Sequence, residues 1–423
     1  MATTIIQRKK LETASSIRKL VMGIVFLVIA ALDFFLFALN SQSGASTIFG
    51  LNPGGIDRGL APDMVLPSQL TIYIITILTF LAGIYQLIKG LKKFTNPMLG
   101  ILVALFIFAF LTWAAQGRSI NIGGMLSAAV LLSVPIVLGG LSGVLCERAG
   151  VVNIAIEGMM LMSCMVAALV GSVTKNLFLG LAVGMLSSLL LAWVHAVLSI
   201  KYKINQIISG TVINIFAAGM TSYISAKFLQ VYQNLNNPPI FPRFPIPLLA
   251  DIPILGPIFF NQNMFVYAMF ILLIVLQIAI FRTRWGLRLR SVGEHPKAAD
   301  TLGINVFRTR YMAVLLGGLV AGLGGAFFTL GSVGRFDEMM TAGKGFIGLA
   351  AMIFGNYTPV GVFGAGLLFG FADSIATKLS IMGNYIPPQF MSMAPYITTM
   401  VVLAGIVGRG QVPAADGEPY EKE

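Results

Sequence analysis

Most of this chain is laid out in apolar runs with few charges, of the length that crosses a lipid bilayer, joined by short polar connections. A transmembrane helix needs about 20 predominantly apolar residues. Twelve stretches are candidates: 20–40, 69–88, 98–116, 124–145, 151–173, 177–199, 205–226, 264–281, 311–333, 343–357, 359–378 and 391–408. The expected fold is an all-α integral membrane protein, a polytopic helical bundle of about 10–12 transmembrane helices with short or broken helices in the core. The stretch 343–357 is short and rich in glycine and is expected to be broken or re-entrant. Hydrophobic residues make up 57% of the 423 residues and charged residues only 10%, with a mean hydropathy of +0.87. Soluble domains carry about 25% charged residues, so a soluble core is excluded. No small-residue cleavage site follows 20–40, which is read as a retained span rather than a signal peptide.

The net charge of +12 resides in short connections rather than on one face, which argues for membrane orientation and against nucleic-acid binding. Arg8, Lys9, Lys10, Arg18 and Lys19 precede the first span; Lys89, Lys92 and Lys93 follow the second; Glu147 and Arg148 follow the fourth; Lys201 and Lys203 follow the sixth. Basic connections stay on the cytoplasmic side. Both termini are therefore expected inside, and the loops 41–68 and 230–262, poor in basic residues, outside. The outer loop 230–262 holds Pro238, Pro239, Pro242, Pro245, Pro247, Pro253 and Pro257 and reads either as a shelf for an external partner or as a stiff connector. Cys146 and Cys164 are too few for a disulfide framework and read as packing residues.

The most basic connection, 281–311, carries Arg282, Arg284, Arg288, Arg290, Lys297, Arg308 and Arg310 against Glu294 and Asp300. Inside it a helix is expected over Glu294–Leu302, closed by Gly303 as a helix-stop residue. A helix held on the cytoplasmic side is a docking element for a soluble partner. Its small residues Ala298 and Ala299 are expected to face that partner.

Polar residues inside apolar runs mark the candidate pathway. In CERAGVVNIAIEGMM at 146–160, Asn153 and Glu157 interrupt the run. An intramembrane carboxylate costs roughly 2.5–3.5 kcal/mol at a helix centre, so Glu157 either braces a broken helix or meets the solute. In KINQIISGTVIN at 203–214, Asn205 and Gln206 open a span and Asn214 lies within it; positions 206, 210 and 214 share one helix face. These amides suit a polar solute or bonding between helices. Glycine pairs at 139–140, 317–318 and 324–325 favour close helix packing, and the strings LGGLSG at 138–143 and LGGLVAG at 316–322 suggest a duplicated architecture. The GKG at 343–345 lacks the GxxxxGK[ST] spacing of a phosphate-binding loop, so ATP binding by this chain is not expected. His195 and His295 are far apart, His195 reads as a hydrogen-bonded packing residue, and no nucleophile–base pair is evident. No metal, cofactor or catalytic residue is expected.

From about 122 to 420 the chain resembles the permease subunits of ABC importers of the branched-chain amino acid, simple-sugar and nucleoside group. The carrying segments are ERAGVVNIAIEGMM, NQIISGTVIN, LRLRSVGEHPKAADTLGIN and GRGQVPAADGEPY, with the AADGEPY tail and NQIISG most similar to nucleoside-type permeases. The resemblance implies a permease core over 121–410, a cytoplasmic tail over 411–423, and an N-terminal extension over 1–120 with about three spans that lies outside the better-matching region. It implies that Glu294, His295, Pro296, Ala298, Ala299, Leu302, Gly303 and Ile304 form the coupling helix that enters a cleft of a separate ATPase. His295 stands where the family usually has Asn. It further implies a second, different permease, a lipid-anchored binding protein outside and a bacterial cell membrane. The expected function is the translocation pathway for a small polar solute, a nucleoside before a simple sugar. A transporter driven by an ion gradient is the rival class, with Asp33, Glu157, His195 and Asp373 as its available intramembrane ionisable groups.

Overall fold

In the computed structural model, which describes residues 2–53, 62–381, 393 and 411–422, ten helices among the described residues are long and apolar enough to cross a membrane. Lys344–Phe354 falls short of that length, and the candidate span 391–408 lies outside the described residues except for Met393. The chain divides into two compact units, Met1–Gly124 and Met125–Glu423.

The first unit is built from α1 (Ala2–Leu32), α2 (Ser68–Ile88) and α3 (Thr95–Ala114). α1 and α2 pack closely at glycines: Gly23 lies against Leu87 and Gly83 against Leu27. Three short strands, β1 (Ser46–Gly50), β2 (Met64–Pro67) and β3 (Ser119–Asn121), join in the order β2-β1-β3, with β1 antiparallel to β2 and parallel to β3. These strands are a small addition to the expected all-helical fold. Asp33, just past α1, is buried, and among the described residues neither of its carboxyl oxygens has a hydrogen-bond partner.

The second unit contains α4 (Ile122–Glu147, entering from the first unit), α5 (Ile156–Thr174), α6 (Leu177–Ala196), α7 (Gln206–Ile224) and α8 (Met264–Arg282). Two short helices follow, α9 (Arg284–Glu294) and α10 (Pro296–Thr301). Then come α11 (Val306–Ala326, continued as a wider π-type segment to Val333), α12 (Lys344–Phe354) and α13 (Pro359–Ile381). A strand pair, β4 (Arg243–Pro245) with β5 (Asn261–Asn263), closes the proline-rich loop.

In α4, α5 and α11 the apolar stretch is mostly buried (89%, 78% and 78%), whereas in α6, α7, α8 and α13 a third or less is. The first three therefore form the centre, and the others turn side chains such as Ile215, Ile271 and Val360 outward. Lipid tails give no hydrophobic drive between helices, so close packing and buried hydrogen bonds hold them. Serine hydroxyls supply such bonds: Ser163 Oγ donates to Gly322 O and Ser188 Oγ to Gly318 O, both at 2.7 Å. At Gly325 the backbones of α11 and α5 meet; an added Cβ would stand 2.1 Å from Met160 O. Gly325→Ala should therefore force the two central helices apart and cost about 1–3 kcal/mol or more. The measurement is the thermal unfolding midpoint of the detergent-purified protein, with Gly219→Ala as the unobstructed control, since nothing lies within 4 Å of its added Cβ.

The connections sort to two ends. At one end Arg148 reaches the carbonyls of Tyr357 (2.9 Å) and Asn356 (3.2 Å), and Lys203 pairs with Glu421. At the other end Asn236 exchanges hydrogen bonds with Phe336, and Lys175 donates to Asn237 O. The basic connections after the fourth, sixth and eighth candidate spans thus share one end with residues 411–422. The chain passes from the Phe336 end to the Tyr357 end through an irregular segment and then α12. At 1.5 Å per residue, 11-residue α12 is about 16 Å long, roughly half of a hydrocarbon layer.

Candidate functional site

The site forms where α5 and α12 both begin inside the bundle. After α4 the chain leaves helical geometry at 148–155, turning at Gly150 (φ +79°). This frees backbone groups that lipid cannot satisfy, and the polar residues singled out from the sequence bond them. Buried Asn153 accepts from Ala155 N at 3.1 Å. Gln206 Oε1 accepts from Val152 N at 2.6 Å. Asn214 bonds both ways, accepting from Gly158 N at 2.8 Å and donating to Ile154 O at 2.9 Å. Gly210, between them on the same face of α7, lets Ile154 and Ala155 come close. His195 also joins: its Nε2 lies 3.0 Å from Val152 O and its Nδ1 3.1 Å from Ser209 Oγ. A carbonyl can only accept, so Nε2 carries the proton and Nδ1 accepts from the serine hydroxyl. Asn205 stands apart, capping α7 through Ile207 N and Ile208 N.

Glu157 occupies the first turn of α5 and caps α12. The N-cap of α12 is Gly343, which has no side chain to offer. Glu157 Oε1 instead accepts from Thr341 Oγ1 (2.6 Å) and Gly343 N (2.9 Å), and Oε2 accepts from Gly345 N (2.7 Å). One carboxylate thus sits at two helix N-termini, where the helix dipoles favour negative charge. An added Cβ on Gly345 would lie 2.8 Å from Glu157 Cα, so glycine is what permits the approach. Lys344 pairs with Asp373 of α13 at the same level of α12. Sequence reading singled out neither Thr341 nor this ion pair; two opposite charges in adjacent glycine-rich runs were the available signal.

The basic connection departs from expectation in two respects. The stretch Glu294–Leu302 is not one helix: Glu294 ends α9, His295 is non-helical, and α10 begins at Pro296. Proline suits a first helical position and disfavours helical geometry in the residue before it. The helix stop at Gly303 is present, with φ +81°. Ala298 and Ala299 do not share a face either. Ala298 is exposed, whereas Ala299 is buried against Val292, Val306 and Tyr420. Leu302 is 82% exposed, and Ile304 packs inward.

The tail 411–422 binds back onto this end. Ala415 N donates to Gly293 O at 2.9 Å, and Gly293 admits no side chain, since a Cβ would lie 2.3 Å from Arg148 O. Buried Arg310 donates to Glu418 O at 2.8 Å. The Tyr420 ring packs tilted against Phe307, with centroids 5.3 Å apart. Burial pushes the Asp416 carboxyl above the usual carboxylate range, against the hydrogen bond with Glu147 and the pull of Arg310. Among the described residues, no group of three or more His, Cys, Asp or Glu side chains is placed to hold a metal ion.

Central helices that begin inside the bundle, capped by side chains from other helices, define a polytopic helical membrane protein rather than a simple helical anchor. Residues 125–407 match the family described as branched-chain amino acid transport system / permease component. The chain belongs to this family. It is 40% identical over 312 residues to the guanosine ABC transporter permease protein NupQ of Bacillus subtilis, covering 70% of this chain and 95% of the relative. It is 38% identical to the nucleoside ABC transporter permease protein NupC of Lactococcus lactis, covering 69% and 95%. A putative glucose ABC transporter permease protein of Haloferax volcanii is 32% identical, covering 71% and 98%. No solved structure matches.

Proposed function

We propose that this chain is the nucleoside-conducting permease of an ATP-driven importer. The similarity to guanosine and nucleoside permeases over 95% of their length carries this reading. The geometry at Glu157 supports an uncharged solute. Half-helix N-termini often receive the anionic group of a substrate; here the chain's own carboxylate fills that position. Glu157, Asn153, Gln206 and Asn214 brace the interrupted helices, and Asn205 caps α7.

The chain itself catalyses no reaction. Its basic connections and both termini face the cytoplasm, in keeping with the positive-inside rule. α10 with Leu302 and Gly303 is the coupling element, against which a separate ATPase docks. A second permease completes the pathway, and a lipid-anchored binding protein delivers solute from outside a bacterial cell membrane. The test is competition for uptake of labelled guanosine by the reconstituted complex. Excess unlabelled nucleoside should suppress uptake and excess glucose should not; suppression by glucose alone would favour a sugar permease, the reading that the Haloferax relative supports.

A further inference from the structure

Between α10 and the tail runs a groove of about 440 Å³. Pro296, Lys297 and Ala298 form one wall, and Ala414, Glu418 and Pro419 the other. We propose that the C-terminal tail, residues 411–422, is the second half of the docking surface, and that the ATPase element seated in this groove presents a basic side chain to it. The proposal rests on the coupling role given to α10 above.

Three observations carry it. The tail is built in place rather than trailing. It bonds to five positions distant in sequence: Gln411 N to Asn356 Oδ1 at 2.7 Å, Ala414 N to Glu294 Oε2 at 3.2 Å, Ala415 N to Gly293 O, Arg310 to Glu418 O, and Lys203 to Glu421. Tyr420 then fills the space under α10, where it covers Ala299. The inward half of α10 is thus sealed by the tail, and only its outward half, with Ala298 and Leu302, remains for a partner.

The groove also runs against the charge of the chain. In a protein of net charge +12, its lining carries Glu294, Glu418 and Glu421 with Lys297. Glu421 is held by Lys203, whereas the Glu418 side chain is exposed. A basic group on the partner complements that wall, and complementary charges at an interface set partner choice and association rate. Finally, the surface is continuous: Ala298 on one wall and Ala414 on the other are both exposed and small, so a partner backbone can approach both at once.

The experiment co-expresses the permeases with their ATPase, purifies the complex through a tag on this chain, and measures ATPase recovery and its salt dependence. With an unchanged thermal midpoint of the permease as its folding control, Glu418→Lys reverses an exposed charge that also supports the Arg310 guanidinium while keeping the backbone carbonyl that holds Arg310. It should weaken association about tenfold and remove the loss of binding that added salt produces in the unmodified complex. Ala414→Trp should block the groove sterically. Leu302→Asp is the reference variant for the coupling element. Release of the ATPase by Leu302→Asp, with normal recovery and salt dependence for both tail variants, would overturn the tail proposal and leave the coupling role intact. Normal recovery with all three variants would overturn the coupling role as well.

Discussion

Glu157→Leu should unfold the centre of the permease. The leucine cannot accept, and Thr341 Oγ1, Gly343 N and Gly345 N would be left in a buried site without the carboxylate they share. Hydrogen bonds to a charged group contribute about 1.5–3 kcal/mol each, and buried donors left unpaired cost about 1–3 kcal/mol. Even with partial relaxation the loss should reach about 3–5 kcal/mol. Glu157→Gln is informative for a different reason. From the sequence alone a glutamine is expected to be a mild replacement, since it keeps hydrogen-bonding capacity. In the structure both carboxylate oxygens accept. A glutamine keeps one oxygen for Thr341 and Gly343 but turns an NH2 group toward Gly345 N–H, donor against donor. It should cost about 1–3 kcal/mol, and Thr341→Val a smaller amount. The measurement is the thermal midpoint of purified protein alongside transport. Loss of transport with an unchanged midpoint would identify Glu157 as a solute or proton site rather than a brace.

Leu302→Asp should abolish ATPase-coupled transport while leaving the membrane unit intact. A leucine that is 82% exposed, just past a six-residue helix and beside a helix-stop glycine, contributes little to the fold. It has the features of an interface anchor, where truncation costs 2 kcal/mol or more, so ATPase affinity should fall by roughly thirtyfold or beyond. Ala298→Trp should act in the same direction by bulk. Ala299→Trp should fail differently: Ala299 is 2% exposed, and a bulky side chain there would displace Tyr420 and the tail before any partner arrived. Protein yield and melting temperature separate the two cases. Leu302→Asp and Ala298→Trp should purify normally without ATPase, whereas Ala299→Trp should lose stability itself.

The crossing helices were legible because lipid demands long apolar runs, and those runs are visible without any partner. α12 was legible only as an irregularity. Its 11 residues are too few to span, and nothing in 343–357 indicates that its N-terminus is completed by a carboxylate 186 positions earlier. Polar residues in apolar runs flagged Asn153, Glu157, Gln206 and Asn214, since such residues are costly in a membrane unless used. Which backbone groups they bond depends on how helices far apart in sequence cross, and sequence spacing does not contain that. The orientation of Ala299, though not of exposed Ala298, differs from expectation because α10 makes less than two turns. A helix so short has no periodicity from which to assign a face, and the burial of Ala299 depends on Tyr420, 121 residues away. Pro296 was the overlooked signal that the helix begins there and not at Glu294.

The central claim is that movement of solute through this chain is driven by a partner that hydrolyses ATP. The direct measurement is labelled guanosine uptake into proteoliposomes holding this chain with its co-expressed permease, ATPase and binding protein. Uptake should require ATP on the ATPase side, cease with a non-hydrolysable analogue, and persist when proton and sodium gradients are collapsed. Uptake by this chain alone, driven by a proton or sodium gradient without ATP, would contradict the account.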